Sequence, residues 1–548
     1  MSEYDWNEMT DVVKDIYFSD KAKVVQHQIN SYNHFIKDII PNTVFRHSPI
    51  ISGKNWSDEQ NDYANKIIVE FTKVSMSAPM QCDGPNDPIR PLFPHEARLR
   101  NLTYSGQLYV DVKHSFYSGF NTEPEEEIIT NIPLCKIPVM LKSDYCNLRI
   151  TDETTIMNEC IMDYGGYFIV NGNEKVIISQ ERMAENMVFC YEPKKEESVV
   201  CEVKSTIDQL YHPVKKNEAM LSFGNKKSDF QDIYTLSVNI PSFKTAIQAF
   251  IMFRALGIQS DKEIFNIIMH EDLNKVDNAM MNIVEQSALE MYYQLEDKNV
   301  GMTQNDALLY ISKNMQYKID HMVETSGDPL SNEIINQERK LAYVSKNVID
   351  RDFLPHIGTN KYKKALYLGY MIRYLIECHL GKRTYDNRDN VQNKRVDLAG
   401  PLLAQIFRTQ FLSLVRDIKT DISRVENLSQ SLQRTIRSST IEQKIKFGLS
   451  TGNWPSGKNS SIPASKKGIA QVLSRMSYLG FISYLRRVVS PLEPAGNKLN
   501  KPRKIYATTT GYICPNETPE GGQVGIVKNL SQSCEVTRTE NPATIQMI

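Results

Sequence analysis

The sequence predicts a multidomain α+β protein that combines helices with antiparallel strands. At 548 residues, the chain exceeds what one hydrophobic core usually serves, so we expect about two to four domains. Some segments alternate apolar and polar residues, which indicates strands, and others place apolar residues at helical spacing. An apolar content of 41% and a charged content of 24% are typical of a folded, water-soluble protein.

The first element in chain order is a helix. Within residues 21–40, Val25, Ile29 and Tyr32 recur at helical spacing together with further apolar residues. Pro41 follows, and because proline lacks a backbone N–H it is expected to end the helix. This pattern predicts an amphipathic helix with one face in the core.

Strands follow at two places. Leu108, Val110 and Val112 alternate with polar residues, which predicts a strand. Asn171 and Gly172 separate two β-rich runs, and type I′ turns need positive φ at both central positions. The second pattern therefore predicts a hairpin of two antiparallel strands.

The middle of the chain predicts a mixed α/β inserted domain. Strand-like pieces at 187–191 and 234–238 are combined with a helical pattern at 243–256. Two further helices are predicted, one at 361–380 and one whose apolar residues should face the core. Those core-facing residues are Ile406, Phe407, Phe411, Leu414, Val415 and Ile418.

Charge is distributed unevenly although the whole chain carries only −1. Residues 434–504 contain fourteen Lys and Arg against two acids, a net charge of +12 that leaves −13 for the rest. Such asymmetry fits a surface that faces a polyanion, and a solvated basic face is the alternative.

The cysteines and the chain ends suggest a compartment. Nine cysteines without a CxxC pair or zinc spacing predict reduced thiols and no structural zinc. The first ten residues are acidic and polar, so no secretory leader is expected, and the apolar windows at 244–258 and 365–380 contain charges. We expect a soluble intracellular protein of the nucleus or cytoplasm, or of a viral factory or virion.

Two stretches resemble sites without meeting their chemical requirements. Residues 385–400 carry three acids at a spacing that suits Mg²⁺, but Arg388, Lys394 and Arg395 are interleaved with them, which favours ion pairs over metal binding. Residues 452–459 nearly form a phosphate-binding P-loop, but Asn459 replaces the hydroxyl that holds Mg²⁺. We reject both a metal site and a P-loop.

The most informative stretch is 484–530. It contains two loops rich in glycine and proline, with basic residues on either side of them. Glu517 and Glu520 are the only acids in the second half of the stretch. This arrangement suits a surface that grips a phosphate backbone while presenting a few carboxylates. The cations are Arg486, Arg487, Lys498, Lys501, Arg503, Lys504 and Lys528.

The amino-acid sequence of this stretch resembles that of a known family. Cys514-Pro-Asn-Glu-Thr-Pro-Glu-Gly521 and Gly525-Ile-Val-Lys-Asn-Leu530 resemble the signature of the second-largest (beta-type) subunit of multisubunit DNA-directed RNA polymerases. Residues 385–400, 165–184 and 94–104 resemble further signatures of that family. Thr509-Thr510 departs from the pattern, because relatives carry a histidine and an aromatic residue there.

The resemblance implies the N-terminal half of such a subunit, of the eukaryotic or large-DNA-virus type. Its domains would be a first protrusion segment (1–186), an inserted lobe (187–380), a second protrusion segment (381–435) and the fork (436–548). It also implies an enzyme subunit, a nucleotidyltransferase component that is inactive alone. We keep one alternative, a separate nucleic-acid-binding or regulatory protein derived from a truncated subunit.

The resemblance further implies roles for residues and partners. No catalytic residue lies in this chain, because Mg²⁺ would be bound by the largest subunit. Glu517 and Glu520 would lie near the active centre. Nucleic acid would be bound by Arg486, Arg487, Lys498, Lys501, Arg503, Lys504, Lys394 and Arg395. The expected partners are the largest subunit, a polypeptide carrying the C-terminal half, the other polymerase subunits, template DNA and RNA, with no membrane.

Overall fold

The computed structural model divides the chain into two compact units. The first unit is formed by Met1–Arg182 together with Lys394–Ile548, and the second by Met183–Asn393. The described residues are 9–12, 24–57, 62–83, 88–118, 124–150, 158–193, 198–207, 213–224, 233–269, 278–297, 301–315, 338–422, 433–436, 439–454, 467–491 and 500–537.

Helices and antiparallel strands occur in both units, which confirms the predicted α+β class. The α-helices are α1 Gln26–His34, α2 Ile40–Arg46, α3 Pro94–Leu99, α4 Asn147–Ile150, α5 Ala249–Ala255, α6 Asp261–Met269, α7 Asn278–Asp297, α8 Gln304–Lys313, α9 Lys361–His379, α10 Ala399–Ile422, α11 Thr440–Thr451 and α12 Tyr478–Leu485.

The strands build sheets of two to five members. They are β1 Ile50–Ser57, β2 Asp62–Met76, β3 Met80–Gln81, β4 Arg90–Pro91, β5 Ser105–Ser118, β6 Glu125–Pro138, β7 Phe168–Val170, β8 Asn173–Ile177, β9 Ser179–Met183, β10 Val188–Tyr191, β11 Ser198–Ser205, β12 Lys215–Gly224, β13 Ile233–Asn239, β14 Ile247–Gln248, β15 Lys394–Asp397, β16 Ala470–Val472, β17 Arg487–Val489 and β18 Val527–Asn529.

The first helix faces the core as predicted, but Pro41 does not end it. Val25, Ile29 and Tyr32 are buried. A π-helical segment, Phe35–Ile39, continues α1 into α2. Pro41 lies in the first turn of α2, where its missing N–H needs no intrahelical partner. The prediction of a stop at this proline was therefore wrong.

The predicted strands of the first unit are confirmed. β5 lies in an antiparallel sheet of order β1-β2-β5-β6. Asn171 and Gly172 connect β7 to β8, and their φ angles are 50° and 75°. Positive φ at both positions is what a type I′ turn requires. β16 extends this hairpin into a three-stranded sheet.

A four-stranded sheet joins segments that are far apart in sequence. Its order is β15-β9-β17-β18, in which β17 pairs parallel to β9 and antiparallel to β18. Helix α12 leads directly into β17. This sheet therefore brings the stretch 478–530 together with residues near 180 and 395.

The second unit has its own hydrophobic core. Its antiparallel sheet has the order β10-β11-β12-β13-β14. Most of the buried apolar residues of this sheet form one cluster with apolar residues of α5 to α9, while Phe189 and Tyr191 of β10 pack with Ala184 in a small separate cluster. The predicted strands at 187–191 and 234–238 and the helix at 361–380 are confirmed, whereas the helix expected at 243–256 is shortened to α5 by the short strand β14.

Burial confirms the predicted core face of α10. The six predicted core residues of α10 are buried. All nine cysteines are free thiols. Among the helices of the described residues, none combines the length and the apolar character that crossing a membrane requires.

Candidate nucleic-acid interface

Arg486 occupies the turn between α12 and β17 and points into the protein. Its side chain is 8% exposed. Its guanidinium donates to the carbonyl oxygens of Val24 at 2.7 Å, Ser531 at 2.7 Å and Cys534 at 3.0 Å. Burial lowers the pKa of Arg486 from its usual value. These contacts tie the start of α1 to the segment after β18.

His27, which lies close to Arg486, also has a lowered pKa. His27 of α1 is buried, and this burial, together with the positive charge of Arg486, lowers the pKa of His27 to about 4. The imidazole is therefore neutral at physiological pH. A neutral His27 can pack near Arg486 without charge repulsion.

Arg487 differs from its neighbour because it is half-buried and stacks on an aromatic ring. Its guanidinium carbon lies 4.0 Å from the centroid of the Tyr484 ring. A guanidinium held flat on a ring keeps its edge available for phosphate or carboxylate groups.

The basic turn 501–504 is fixed against the loop 521–525. Nη1 of Arg503 donates to the carbonyl oxygens of Gly522 and Val524, each at 2.8 Å. Gly525 packs against this turn, since a Cβ at that position would lie 2.4 Å from the carbonyl oxygen of Arg503. Lys501 and Lys504 flank Arg503 and are exposed. Lys498 lies outside the described residues.

The two predicted acids, Glu517 and Glu520, lie on the surface. Glu517 is exposed, and its carboxylate accepts a hydrogen bond from the hydroxyl of Ser483 in α12. Glu520 is also exposed and immediately precedes the 3₁₀ turn Gly521–Gln523.

Lys394 and Arg395 lie in β15, which belongs to the four-stranded sheet that also contains β17 and β18. Lys394 is half-buried, and its ammonium lies 3.9 Å from a carboxylate oxygen of Glu181 in β9. Lys528 of β18 lies 3.1 Å from the same carboxylate. Arg395 is exposed. The sheet thus brings two predicted binding segments, 394–395 and 484–530, onto one framework.

Charged residues of the stretch 385–400 contact residues outside it through an ion pair, a hydrogen bond and a cation–π contact. Asp397 accepts from Arg182 at 2.7 Å. Asp386 accepts from the Tyr374 hydroxyl at 2.7 Å. Arg388 lies over the ring of Tyr191, 3.7 Å from its centroid. These contacts occupy Asp386 and Asp397, two of the three acids in the stretch.

Glu181 and Ser483 are the functional candidates that sequence reasoning missed. Glu181 is buried and is contacted by Lys394, Lys528 and the Ser490 hydroxyl. Burial pushes the pKa of Glu181 up, but the two lysines and Ser490 outweigh this, and the pKa is lowered. Glu181, Lys394 and Lys528 come together only through the order of the strands in the sheet, so no local sequence pattern identifies Glu181.

An open cleft of about 500 Å³ lies elsewhere in the first unit, beside the β7–β8 hairpin. Its charged lining residues are paired with one another. Glu174 accepts from Arg98 and from Arg475, each at 2.8 Å, and Arg98 also contacts Glu159 at 3.0 Å. Because these charges are already neutralised, the cleft offers no free cationic surface to a phosphate.

The described part of the P-loop-like stretch has the wrong context. Gly452 caps the helix α11, whereas a phosphate-binding loop follows a strand. Trp454 is buried and donates to the carbonyl oxygen of Leu402 at 2.8 Å. The rejection of a P-loop is thus supported by the residues before 455, while Lys458 and Asn459 lie outside the described residues.

Comparison with known proteins matches nearly the whole chain to one family. A family model described as RNA polymerase beta subunit matches residues 23–443, and one described as RNA polymerase Rpb2, domain 3, matches residues 471–536.

Individual relatives agree with these matches. The DNA-directed RNA polymerase II subunit 2 of Arabidopsis thaliana is 35% identical over 95% of this chain and 42% of its own length. The RPB2 subunit of Encephalitozoon cuniculi is 34% identical over 94% of this chain and 42% of its own length. The polymerase subunit Rpo2N of Methanococcus vannielii is 31% identical over 98% of this chain and 97% of its own length. The chain therefore spans less than half the length of the RNA polymerase II relatives and nearly all of the archaeal one.

Proposed function

This chain belongs to the RNA polymerase beta subunit family, and from that membership we propose that it forms part of the second-largest subunit of a DNA-dependent RNA polymerase. In this role it contributes a wall of the nucleic-acid cleft and the surroundings of the active centre. In this proposal the lobe (187–380) lies within the unit 183–393, and the protrusion segments and the fork make up the rest of the chain.

One observation carries the proposal. The hydrogen bonds from Arg503 to Gly522 and Val524 hold the basic turn 501–504 against the loop that follows Glu517 and Glu520. The exposed Lys501 and Lys504 therefore lie in a turn that is bonded to the loop directly after the exposed Glu520. Such an arrangement suits the grip of a phosphate backbone next to a reaction centre.

The burial of each cation assigns its role in this proposal. Lys501, Lys504, Arg487 and Arg395 have exposed or half-exposed charged groups and contact phosphates. Lys394 is half-buried and contacts nucleic acid only with the part of its ammonium that Glu181 leaves free. Lys498, which lies outside the described residues, keeps its expected nucleic-acid contact in this proposal from the family resemblance alone.

Arg486 and Arg503 have positioning roles in this proposal. The guanidinium of Arg486 is bound to main-chain carbonyl oxygens in the interior. Nη1 of Arg503 is bound to the loop 521–525. Glu517 faces the incoming nucleotide and Glu520 lies next to it.

The metal of the reaction fits poorly on this chain. Phosphoryl transfer by two metal ions needs closely spaced carboxylates. Within the described ranges, no group of three or more His, Cys, Asp or Glu is placed to hold an ion. The Mg²⁺ of the assembled enzyme is therefore assigned to the largest subunit.

The partners follow from this role. They are the largest subunit, a polypeptide that supplies the remainder of the second-largest subunit, the other polymerase subunits, template DNA and RNA. The compartment is that of the transcribed genome, which is the nucleus, the cytoplasm or a viral factory.

Lys504→Ala tests the proposed interface. The assembled polymerase containing this variant should bind a DNA–RNA scaffold more weakly, and the slope of log K against log salt should fall by about one, as for the loss of one phosphate contact. Lys262→Ala, which removes an exposed lysine of the other unit, should leave the slope unchanged. Equal slopes for Lys504→Ala and the unaltered polymerase would contradict the proposal.

A further inference from the structure

The main chain around Glu517 is anchored to β18. On one side, the backbone N–H of Cys514 donates to the carbonyl oxygen of Asn529 at 2.9 Å. On the other side, the hydroxyl of Thr518 donates to the carbonyl oxygen of Val527 at 3.0 Å. The backbone position of Glu517 is thus set by the strand, while its side chain is exposed.

An exposed glutamate samples several rotamers unless a contact selects one. The carboxylate of Glu517 accepts a hydrogen bond from the hydroxyl of Ser483. Ser483 lies in α12, whose Phe481 and Leu485 are buried in the first unit. The donor therefore comes from an anchored helix and selects one direction for the carboxylate.

A buried asparagine completes the arrangement. The side-chain amide of Asn529, 2% exposed, donates to the carbonyl oxygen of Glu517 at 3.4 Å. Its side-chain oxygen lies 3.4 Å from the hydroxyl oxygen of Ser483. Serine has one hydroxyl hydrogen, so it serves either Glu517 or Asn529, and a carboxylate is the stronger acceptor.

From these contacts we propose that Ser483 is a positioning residue for Glu517. Its hydroxyl holds the carboxylate in one orientation both before the incoming nucleotide arrives and while it is bound. Asn529 holds the carbonyl group of the same residue, so the main chain and the side chain of Glu517 are both oriented. The inference rests on the proposed function, which places Glu517 beside the nucleotide.

Steady-state kinetics of the assembled polymerase test this role. Ser483→Ala should raise the KM for nucleoside triphosphates by about threefold to tenfold, the range that follows from losing one typical intramolecular hydrogen bond, with a smaller change in kcat. Ser483→Thr keeps the hydroxyl and should restore the KM. Ser483→Ala combined with Glu517→Ala should match Glu517→Ala alone, because each change removes the same contact.

Controls separate orientation from folding. Ser533→Ala removes an exposed hydroxyl of the same unit and should leave the KM unchanged. If Ser483→Ala fails to assemble, Ser483→Cys carries the test, since a thiol of similar volume is a weaker donor and should give an intermediate KM.

Two results would have different meanings. If Glu517→Gln itself leaves both KM and kcat unaltered, the proposed place of Glu517 at the reaction centre is wrong. If Glu517→Gln impairs the enzyme while Ser483→Ala behaves like the unaltered enzyme, or adds fully to Glu517→Ala, the positioning role of Ser483 is overturned and the proposed function stands.

Discussion

The ammonium of Lys528 lies 3.1 Å from a carboxylate oxygen of Glu181, although the two residues are 347 positions apart in sequence. Lys394 approaches the same carboxylate from β15, and Ser490 donates to it. One buried acid thereby joins strands from three distant segments. The neighbouring stretches 484–530 and 394–395 depend on this junction for their relative position.

Glu181→Gln should destabilise the first unit. The change removes the charge that Lys528 and Lys394 face in a largely buried place, and we expect a loss of about 1–3 kcal/mol in the free energy of unfolding at pH 7. The pKa of Glu181 is lowered in the folded protein. The stabilisation is therefore present above the ordinary glutamate pKa and is lost as the pH falls through the folded-state pKa.

Denaturant unfolding of both proteins at several pH values measures this effect. The difference in unfolding free energy between Glu181→Gln and the unaltered protein should shrink below the ordinary glutamate pKa. Glu125→Gln, at an exposed position of β6, should give a difference near zero at every pH. A gap for Glu181→Gln that stays constant down to strongly acid pH would show that the charge of Glu181 is not what stabilises the fold.

Gly172→Ala should be more costly than an ordinary turn substitution. The φ of Gly172 is +75°, and an added Cβ would lie 2.5 Å from the side-chain oxygen and 2.9 Å from the Cα of Asn101. Backbone strain and overpacking together should cost about 2–4 kcal/mol of unfolding free energy.

A second glycine separates these two causes. Gly468 has a φ of +73° and nothing within 4 Å of an added Cβ, so Gly468→Ala reports the strain alone. Thermal or denaturant unfolding should show the larger loss for Gly172→Ala. Equal losses for the two variants would mean that the contact with Asn101 relaxes at no cost.

Local signals in the sequence were sufficient where one segment determines its own structure. Asn171-Gly172 predicts the β7–β8 hairpin because the turn chemistry is contained in two residues. The apolar spacing of α10 predicts its buried face for the same reason. Pro41 was misread because the π-helical segment before it, which lets helical structure continue, has no simple sequence signal.

Local sequence patterns could not predict the contacts between segments that are distant in sequence. Lys364 illustrates this, because it is fully buried and donates to the carbonyl oxygens of Ile349, Asp350 and Phe353. Lysines are mostly exposed, so no composition rule places one there. The candidate interface shows the same limit. Arg486, the residue directly after α12, is buried, whereas its neighbour Arg487 is only half-buried, and no local pattern distinguishes the two arginines.

Arg486→Lys distinguishes a structural role from a phosphate contact. Lysine cannot reach the carbonyl oxygens of Val24, Ser531 and Cys534 together, so buried acceptors lose their donors and the free energy of unfolding should fall by about 2–4 kcal/mol. Arg487→Lys alters a half-exposed stacking contact and should cost about 0.5–1 kcal/mol. In scaffold binding by the assembled polymerase, Arg486→Gln, which removes the charge, should leave the salt slope unaltered, because the guanidinium is bound to main-chain carbonyl oxygens inside the protein. Unchanged stability of Arg486→Lys combined with a slope reduced by about one for Arg486→Gln would instead assign Arg486 to the nucleic-acid surface, since only the loss of a cation that meets phosphate changes the number of released counterions.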